Sequence, residues 1–253
     1  MFKTFLLAAV LLCILGDFVI ADVILGWDFS TLPGGANNFG PSPFGASSVD
    51  VNVSSVGLAR GSGVTMSGTG AGNAWGGTDF QTSSSAAAVA ANDFFSFSLT
   101  ANAGSTMNIS DIGAFNVRHS SSGANTGLFQ FQVGAGAFTD IGTSFSLGTT
   151  ISSAGNAISS INLNGISALQ NVTGGTDVKF RLLLWGGTTS IGTAYLNDPS
   201  SSVANDFTLN GTITAVPEPT SLLSVASCMG LASAYRRRRI VGTRQIPRKY
   251  VPV

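Results

Sequence analysis

Apolar and polar residues alternate with a period of two along the middle of the chain, and this pattern restricts that part to β-structure. In FFSFSL, the side chains of Phe95, Phe97 and Leu99 fall on one face and those of the serines on the other. LFQFQV at 128–133 and DVKFRLLLW at 177–185 alternate in the same way. Successive side chains of a strand point to opposite faces of its sheet. The pattern therefore predicts strands with one buried face and one face in water.

The other strand candidates are short and are separated by Gly, Asn, Asp and Ser about every eight to twelve residues, as in antiparallel strands joined by turns. Two segments, 86–91 and 166–169, are candidates for short helices. About ten strands in residues 22–215, here called the body, predict an all-β fold, an antiparallel two-sheet sandwich of jelly-roll type. Seven further strand candidates complete the set: 23–29, 49–53, 112–117, 138–141, 145–147, 193–196 and 207–213.

Charge is separated along the sequence, although the formal net charge of the whole chain is zero. The body contains ten aspartates but four basic residues, Arg60, Arg118, Lys179 and Arg181. Binding to a phosphate backbone is driven by basic residues that release counterions. The acidic body therefore argues against nucleic acid as a partner.

The body offers few groups for catalysis or for binding transition metals. The two cysteines, Cys13 and Cys228, lie in the apolar ends of the chain, so neither a disulfide nor a Cys/His zinc site is expected within the body. The one histidine, His119, precedes the loop SSSG and not a nucleophile turn, so we interpret it as a strand-end surface residue. A glycosidase can use two aspartates, but the sequence does not show which ones pair. We expect no catalytic residues and no enzymatic activity.

Residues 1–21 have the layout of a secretory signal peptide. Lys3 supplies an early positive charge, residues 5–15 form an apolar run, and Ala21 is the small residue before the cleavage point. The apolar run is shorter than the ~20 residues that a membrane-spanning helix needs. We therefore expect signal peptidase to cleave between Ala21 and Asp22 and the rest of the chain to be exported.

Residues 216–239 combine a tripeptide, an apolar segment and a basic cluster. The tripeptide Pro217, Glu218 and Pro219 is kept out of a helix by its prolines. The apolar segment, 220–235, reaches about 24 Å as a helix, somewhat less than the ~30 Å hydrocarbon core of a bilayer. The basic cluster follows at the position expected for the cytoplasmic side and consists of Arg236, Arg237, Arg238 and Arg239.

This order of parts resembles the PEP-CTERM sorting signal of bacterial exported proteins. The resemblance implies that an exosortase, a membrane-embedded cysteine transpeptidase-like enzyme, recognises residues 217–219. The enzyme would then remove the rest of the chain, including the basic tail at 240–253. The apolar helix would anchor the protein in the membrane until then. The alternative is a plain single-span anchor that is retained. Either way, we expect a protein at the cell surface or outside the cell.

The body is also similar to a group of exported PEP-CTERM proteins in which five segments recur in the same order. That resemblance would cover nearly the whole body, and it implies a fold and a destination but no reaction. The five segments are GWDFS (26–30), NAWGG (73–77), FFSFSL (94–99), FRLLLWGG (180–187) and NDFTLNG (205–211).

Four aromatic residues of the body are candidates for stacking on sugar rings: Trp27, Trp75, Trp185 and Tyr195. The alternative is that they pack in the core or at a sheet edge. The sequence leaves both interpretations open.

Oxygen ligands for calcium occur near both ends of the body. Asp28 lies in the opening strand, while Asp198, Asn205 and Asp206 lie before or within the closing strand. The first and last strands of a jelly roll lie close together, and calcium takes six to eight such oxygens, so we predict a structural calcium ion here. The alternative is that Asp198 starts a turn at Pro199 and that Asp206 faces solvent. No other cofactor is expected.

Three functions agree with these observations. The leading hypothesis is an exported surface or extracellular-matrix protein, sorted by an exosortase, with a structural or adhesive role beside exopolysaccharide. The second is a lectin resembling a carbohydrate-binding module, and the third is a secreted glycoside-active enzyme. Signal peptidase, the exosortase and polysaccharide are the partners that these hypotheses imply.

Overall fold

The computed structural model of this protein describes residues 22–202 and 204–216. The predicted signal peptide (1–21), the part of the predicted sorting signal beyond Val216 and the tail 240–253 lie outside the described residues. Within the described ranges, no helix is long and apolar enough to cross a membrane.

Strands account for most of the regular structure of the described residues, together with one short α-helix, α1 (Ser85–Ala91), and a 3₁₀ turn (Ser167–Leu169). The eighteen strands of this part of the chain are β1 (Asp22–Trp27), β2 (Gly35–Ala36), β3 (Ser48–Val49), β4 (Val53–Arg60), β5 (Thr69–Gly70), β6 (Ala74–Thr78), β7 (Phe94–Ala101), β8 (Ser105–Ile112), β9 (Phe115–His119), β10 (Thr126–Val133), β11 (Thr139–Asp140), β12 (Phe145–Ser146), β13 (Asn156–Ile158), β14 (Ile161–Asn162), β15 (Val172–Thr173), β16 (Asp177–Trp185), β17 (Thr193–Asn197) and β18 (Phe207–Ala215).

These strands form three larger sheets and one two-stranded ribbon, β2-β5. The first sheet has the order β14-β8-β18-β1-β3, with β15 also paired to β8. The second has the order β11-β10-β16-β7-β4, with β12 paired to β10, and the third has the order β13-β9-β17-β6. All pairs of the second and third sheets are antiparallel, and so is the pairing of β1 with β18. The prediction of an all-β, antiparallel fold is confirmed.

The predicted alternation is confirmed in the second sheet. Phe131 of β10 lies opposite Phe180 of β16, which lies opposite Phe97 of β7, and all three side chains are buried. On the other face of β16, Lys179 is exposed and Arg181 is half-buried. The period-two pattern thus identified the face that packs inward.

Two predicted strands are wrong because the chain turns inside them. Within 49–53, the amide of Val53 donates to the carbonyl of Asp50 in a turn, and β3 and β4 belong to different sheets. The segment 112–117 is divided at 113–114, so that β8 and β9 also belong to different sheets. The sequence pattern does not predict most of β4, nor β6 and β8. In these strands serine, glycine and asparagine stand among the apolar residues and weaken the period-two pattern.

Both helical candidates are confirmed with small shifts of their bounds. Helix α1 is capped by Ser84, whose Oγ accepts a hydrogen bond from the amide of Ala87 at 3.2 Å. It ends at Asn92, which adopts the left-handed conformation with φ of 62°. A run of alanines between a serine cap and an asparagine stop is a local signal, which is why the sequence alone could identify it.

The centre of the core is an aromatic cluster to which all three larger sheets contribute. Phe207 of β18 has its ring centroid 5.6 Å from that of Trp27 in β1 and 5.8 Å from that of Phe97 in β7. It also lies 5.4 Å from Phe115 in β9 and 6.3 Å from Phe129 in β10. Burial of these rings holds the sheets together without a disulfide.

Candidate functional site

Three carboxylates converge where β1 and β17 end and β18 begins. Asp28 directly follows β1, Asp198 directly follows β17, and Asp206 directly precedes β18. One oxygen of each can be chosen such that all three lie within 4.8 Å of one another. We call this group the Asp cluster. It joins the first sheet, which contains β1 and β18, to the third, which contains β17.

Backbone hydrogen bonds between the ends of β1 and β18 place two of these carboxylates. The amide of Asp206 donates to the carbonyl of Trp27 at 2.7 Å, continuing the pairing of the two strands. In return, Oδ2 of Asp206 accepts from the amide of Phe29 at 2.8 Å. Oδ1 of Asp28 accepts from the amide of Ser30 at 2.8 Å in a tight local turn.

Asp198 is the deeply buried member of the Asp cluster, with 3% of its surface exposed. Its Oδ1 accepts three hydrogen bonds of 2.8 to 2.9 Å, from the amide and hydroxyl of Ser200 and from the amide of Ser201. Its Oδ2 is also buried but has no hydrogen-bond partner. The predicted turn at Asp198 therefore exists, but it uses only one of the two carboxylate oxygens.

Asn73 holds the loop that carries Asp198, and sequence reasoning missed it. Its carbonyl accepts from the amide of Asp198 at 2.8 Å, and its Nδ2 donates to Oγ of Ser201 at 2.6 Å. Asn73 has φ of 53°, a left-handed conformation that asparagine tolerates better than most residues. An asparagine immediately before the strand sequence AWGG was the available signal.

The Asp cluster is electrostatically unfavourable for three ionised carboxylates. The pKa of Asp206 is raised to about 6, mainly by burial and to a smaller extent by the charges of Asp198 and Asp28, while the hydrogen bond from the amide of Phe29 opposes the shift. Two carboxylates about 5 Å apart repel by roughly 3 kcal/mol at the effective dielectric constant typical of partly buried pairs. The arrangement therefore favours either a shared proton or a bound cation.

Three of the four predicted calcium ligands meet in the fold: Asp28, Asp198 and Asp206. The fourth, Asn205, is engaged elsewhere, because its side-chain amide exchanges hydrogen bonds of 3.0 to 3.2 Å with Oγ of Ser48. That side chain packs over Gly26, where a Cβ would come within 2.4 Å of it. Asn205 therefore supports the pairing of the strand ends.

Oxygen ligands of this kind suit hard cations such as calcium. Two close carboxylates of unequal pKa can also serve acid-base chemistry on a sugar. Because only 3% of the surface of Asp198 is exposed, a sugar ring cannot be placed against its carboxylate. Cation binding is the chemistry that this geometry supports better.

The prediction of sugar-stacking aromatics is wrong for three residues. Trp27 and Trp75 have no exposed surface and Tyr195 has 4%. The indole N–H of Trp27 donates to the carbonyl of Phe44 at 3.0 Å, and that of Trp75 donates to Pro41 at 2.7 Å. Trp185, the fourth candidate, is half-buried. The first three are core residues, and their polar atoms are satisfied internally.

The interpretation of His119 as a surface residue is also wrong. It does end strand β9, but it is 7% exposed. Its two ring nitrogens lie 3.0 Å from the carbonyl oxygen of Ser120 and 3.2 Å from that of Gly148. A buried histidine whose ring lies between two backbone carbonyls holds the two loops together, and in its neutral form one of its nitrogens can donate to one of them.

A shallow groove crosses the outer face of the second sheet, and sequence reasoning missed it. Lys179, Arg181, Phe138 and Val56 line it, and Val56 is 56% exposed. The guanidinium of Arg181 lies 3.8 Å from the centroid of the Phe138 ring, and its Nε–H donates to Gln130 at 2.6 Å. The groove therefore combines an ordered cation, an apolar wall and exposed polar groups.

Comparison of the chain with protein-family models, with curated proteins and with solved structures finds no match in any of the three.

Proposed function

We propose that this chain is an exported surface or extracellular-matrix protein, processed by signal peptidase and an exosortase, with a structural or adhesive role beside exopolysaccharide. The observation that carries the proposal is the order of parts in 216–239, a Pro-Glu-Pro tripeptide, an apolar segment and four arginines, in a chain whose first 21 residues resemble a signal peptide. The composition supports it, because 9% of the residues are charged against about 25% in ordinary soluble proteins.

The finer form of the fold belongs to the same proposal, as a jelly-roll-like sandwich with the first and second sheets face to face. Its support is the contact between their side chains: Trp27 of the first sheet lies 5.1 Å from Phe97 of the second, edge to face. Phe207 and Phe129 make a stacked contact between the same two sheets at 6.3 Å. The adjacent pairing of the first and last strands, β1 and β18, is a further point in favour.

The side chains of the described residues support one part of this proposal, namely a role without catalysis. In this part of the chain, the one histidine is fixed by backbone carbonyls, and the closest group of acidic residues has a buried member. The glycoside-active alternative needs two carboxylates open to a sugar, and Asp198, the most buried member of the Asp cluster, is 3% exposed.

The mature protein is expected to lack both ends of the chain. Intact-mass measurement of protein isolated from the producing cells should show a new N-terminus at Asp22 and loss of the mass beyond about Val216. Glu218→Ala should leave the tail uncleaved and the protein in the membrane fraction, because the tripeptide would no longer match the exosortase signal. Asp140→Ala, at an exposed aspartate outside both the sorting signal and the Asp cluster, is the matched control and should be processed normally. Full-length chain in the cytoplasm would contradict the proposal.

The groove on the second sheet favours a second candidate function, binding of a carbohydrate. A guanidinium held in place by Phe138 and Gln130 is suited to donate hydrogen bonds to hydroxyl or carboxylate oxygens of a sugar. A glycan array on the purified protein tests this function, with Arg181→Ala expected to lose binding at least tenfold and Arg118→Ala, in another sheet, to keep it. Equal binding by both variants, or none by the unmodified protein, would reject the groove as a site.

A further inference from the structure

We propose that the Asp cluster binds one Ca²⁺, which links the ends of β1, β17 and β18 and so ties the first sheet to the third. The proposal goes beyond export and adhesion, and it does not depend on where the protein is located. Its ligands are Asp28, Asp198 and Asp206, each of which provides an oxygen to a group that fits within 4.8 Å.

The feature that distinguishes this group from an ordinary acidic patch is Oδ2 of Asp198. This oxygen is buried and accepts no hydrogen bond, and only 3% of the surface of Asp198 is exposed. Buried polar atoms in folded proteins nearly always have a partner, and an unpaired carboxylate oxygen is among the costliest exceptions. Oδ1 is already fully engaged by Ser200 and Ser201, so the missing partner belongs on the Oδ2 side.

No ion pair among the described residues, 22–202 and 204–216, brings a cation to this position. Among the described residues, the one ion pair is that of Lys179 with Asp177, in the second sheet. The four basic residues of the body are Arg60, Arg118, Lys179 and Arg181. Arg60 is held by the carbonyls of Phe39, Gly40 and Gly76, and Arg181 by Gln130. Arg118 lies opposite Tyr195 in the third sheet. Since none of these four residues forms an ion pair with the Asp cluster, an external cation is a source of the compensating charge.

Calcium is the cation that the donor atoms favour. All three side chains offer oxygen and none offers sulfur or imidazole, which disfavours zinc. The three oxygens lie within 4.8 Å of one another, close enough for one ion to reach all of them. Calcium accepts six to eight oxygens in flexible geometry, whereas magnesium demands a near-ideal octahedron and gives up its waters reluctantly. Water can complete the six to eight positions, because Asp28 and Asp206 are only half-buried.

The consequence for the fold is that the ion would bind the native state and not the unfolded chain. Asp28 and Asp206 come together only when the first and last strands pair, and Asp198 joins them only when the third sheet is in place. Binding that is restricted to the native state raises its stability in proportion to the logarithm of the ligand concentration.

The experiment compares thermal unfolding of the full chain, purified in detergent, in CaCl₂ and in chelator. At ~10 mM CaCl₂ and a Kd near 10⁻⁴ M, the melting temperature should rise by roughly 5 to 10 °C over that in chelator. Titration calorimetry with CaCl₂ should give one site per chain. MgCl₂ at the same concentration should produce less than half the shift.

Asp198→Asn should abolish the calcium-dependent shift, whereas Asp140→Asn, an exposed aspartate outside the cluster with the same change of charge, should retain it. If Asp198→Asn does not fold, Asp28→Asn replaces it in the test. Asp28 is half-buried and directly follows β1, so its substitution disturbs the fold less. Equal melting temperatures in calcium and chelator would overturn the proposal, and so would a full shift in the Asp28 or Asp198 variant. A shift of equal size with magnesium would overturn the choice of calcium.

Discussion

Phe207→Ala is expected to lower the melting temperature by roughly 8 to 15 °C, which corresponds to about 3 to 5 kcal/mol for truncation of a buried aromatic in a domain of this size. Phe207 is 1% exposed. Its ring contacts aromatic rings from all three larger sheets, so alanine would leave a cavity that no single sheet can close by moving. Chemical denaturation followed by tryptophan fluorescence gives the same quantity as a free energy of unfolding.

Two further variants test whether the loss of stability arises from truncation of a side chain in the aromatic cluster and not from any substitution in these strands. Phe180→Ala should cost a similar amount by the same mechanism, since its ring stacks on that of Phe97 at 5.2 Å. Thr208→Ala, next to Phe207 but on the opposite face of β18, should change the free energy of unfolding by less than about 1 kcal/mol. If Phe207→Ala melted within 2 °C of the unmodified protein, the aromatic cluster would not be the centre of the core.

Arg60→Lys is expected to destabilise the protein by roughly 2 to 4 kcal/mol, although it keeps the positive charge. The Arg60 guanidinium lies 4.5 Å from the centroid of the Trp75 ring and donates to the carbonyls of Phe39, Gly40 and Gly76. Burial lowers the pKa of Arg60 to about 10, so this charge is costly to place there. A lysine ammonium has no planar fork to reach three carbonyls while it lies on the indole ring.

The matched control is Arg118→Lys, in a half-buried position on β9, for which a change below about 0.5 kcal/mol is expected. Urea denaturation of the three proteins at pH 7 measures the difference. Equal midpoints for Arg60→Lys and Arg118→Lys would show that the contacts of the Arg60 guanidinium contribute nothing to stability. A large loss in Arg60→Lys alone is the expected result.

Strand type was predictable wherever one face of a strand is uniformly apolar. The bounds of β16 agree with the predicted segment, because Val178, Phe180, Leu182 and Leu184 make one face apolar throughout. Leu183 is buried as well, on the opposite face, where it packs with Ala88 of α1. Prediction was poorer for β6, whose sequence AWGGT is buried on both faces and contains two glycines. At Gly76 a Cβ would lie 2.0 Å from the carbonyl oxygen of Ala194, so the close approach of β17 requires glycine there. That requirement comes from a partner strand and leaves no periodic signal.

The sequence could indicate which aspartates near the two ends of the body form the candidate site. It could not indicate which atoms of these residues contact one another. Asp28 and Asp206 could be expected together from the proximity of first and last strands. That Asn205 turns to Ser48, and that Trp27 and Trp75 are wholly buried, depended on how the strand ends pack. A tryptophan in a sequence can face a core or a sugar equally well, because its indole is apolar over its faces and polar at one edge.

The amino-acid sequence alone establishes that the body is built of strands and which face of its long strands is apolar. Only the tertiary structure decided which strands pair and which side chains meet. Phe29 and Asp206, which share a hydrogen bond, are 177 positions apart in the chain. The physical reason is that alternation reports whether a side chain is buried, which is a local property of the strand. The identity of the neighbour depends on sheet order and register, which arise from the packing of the whole chain.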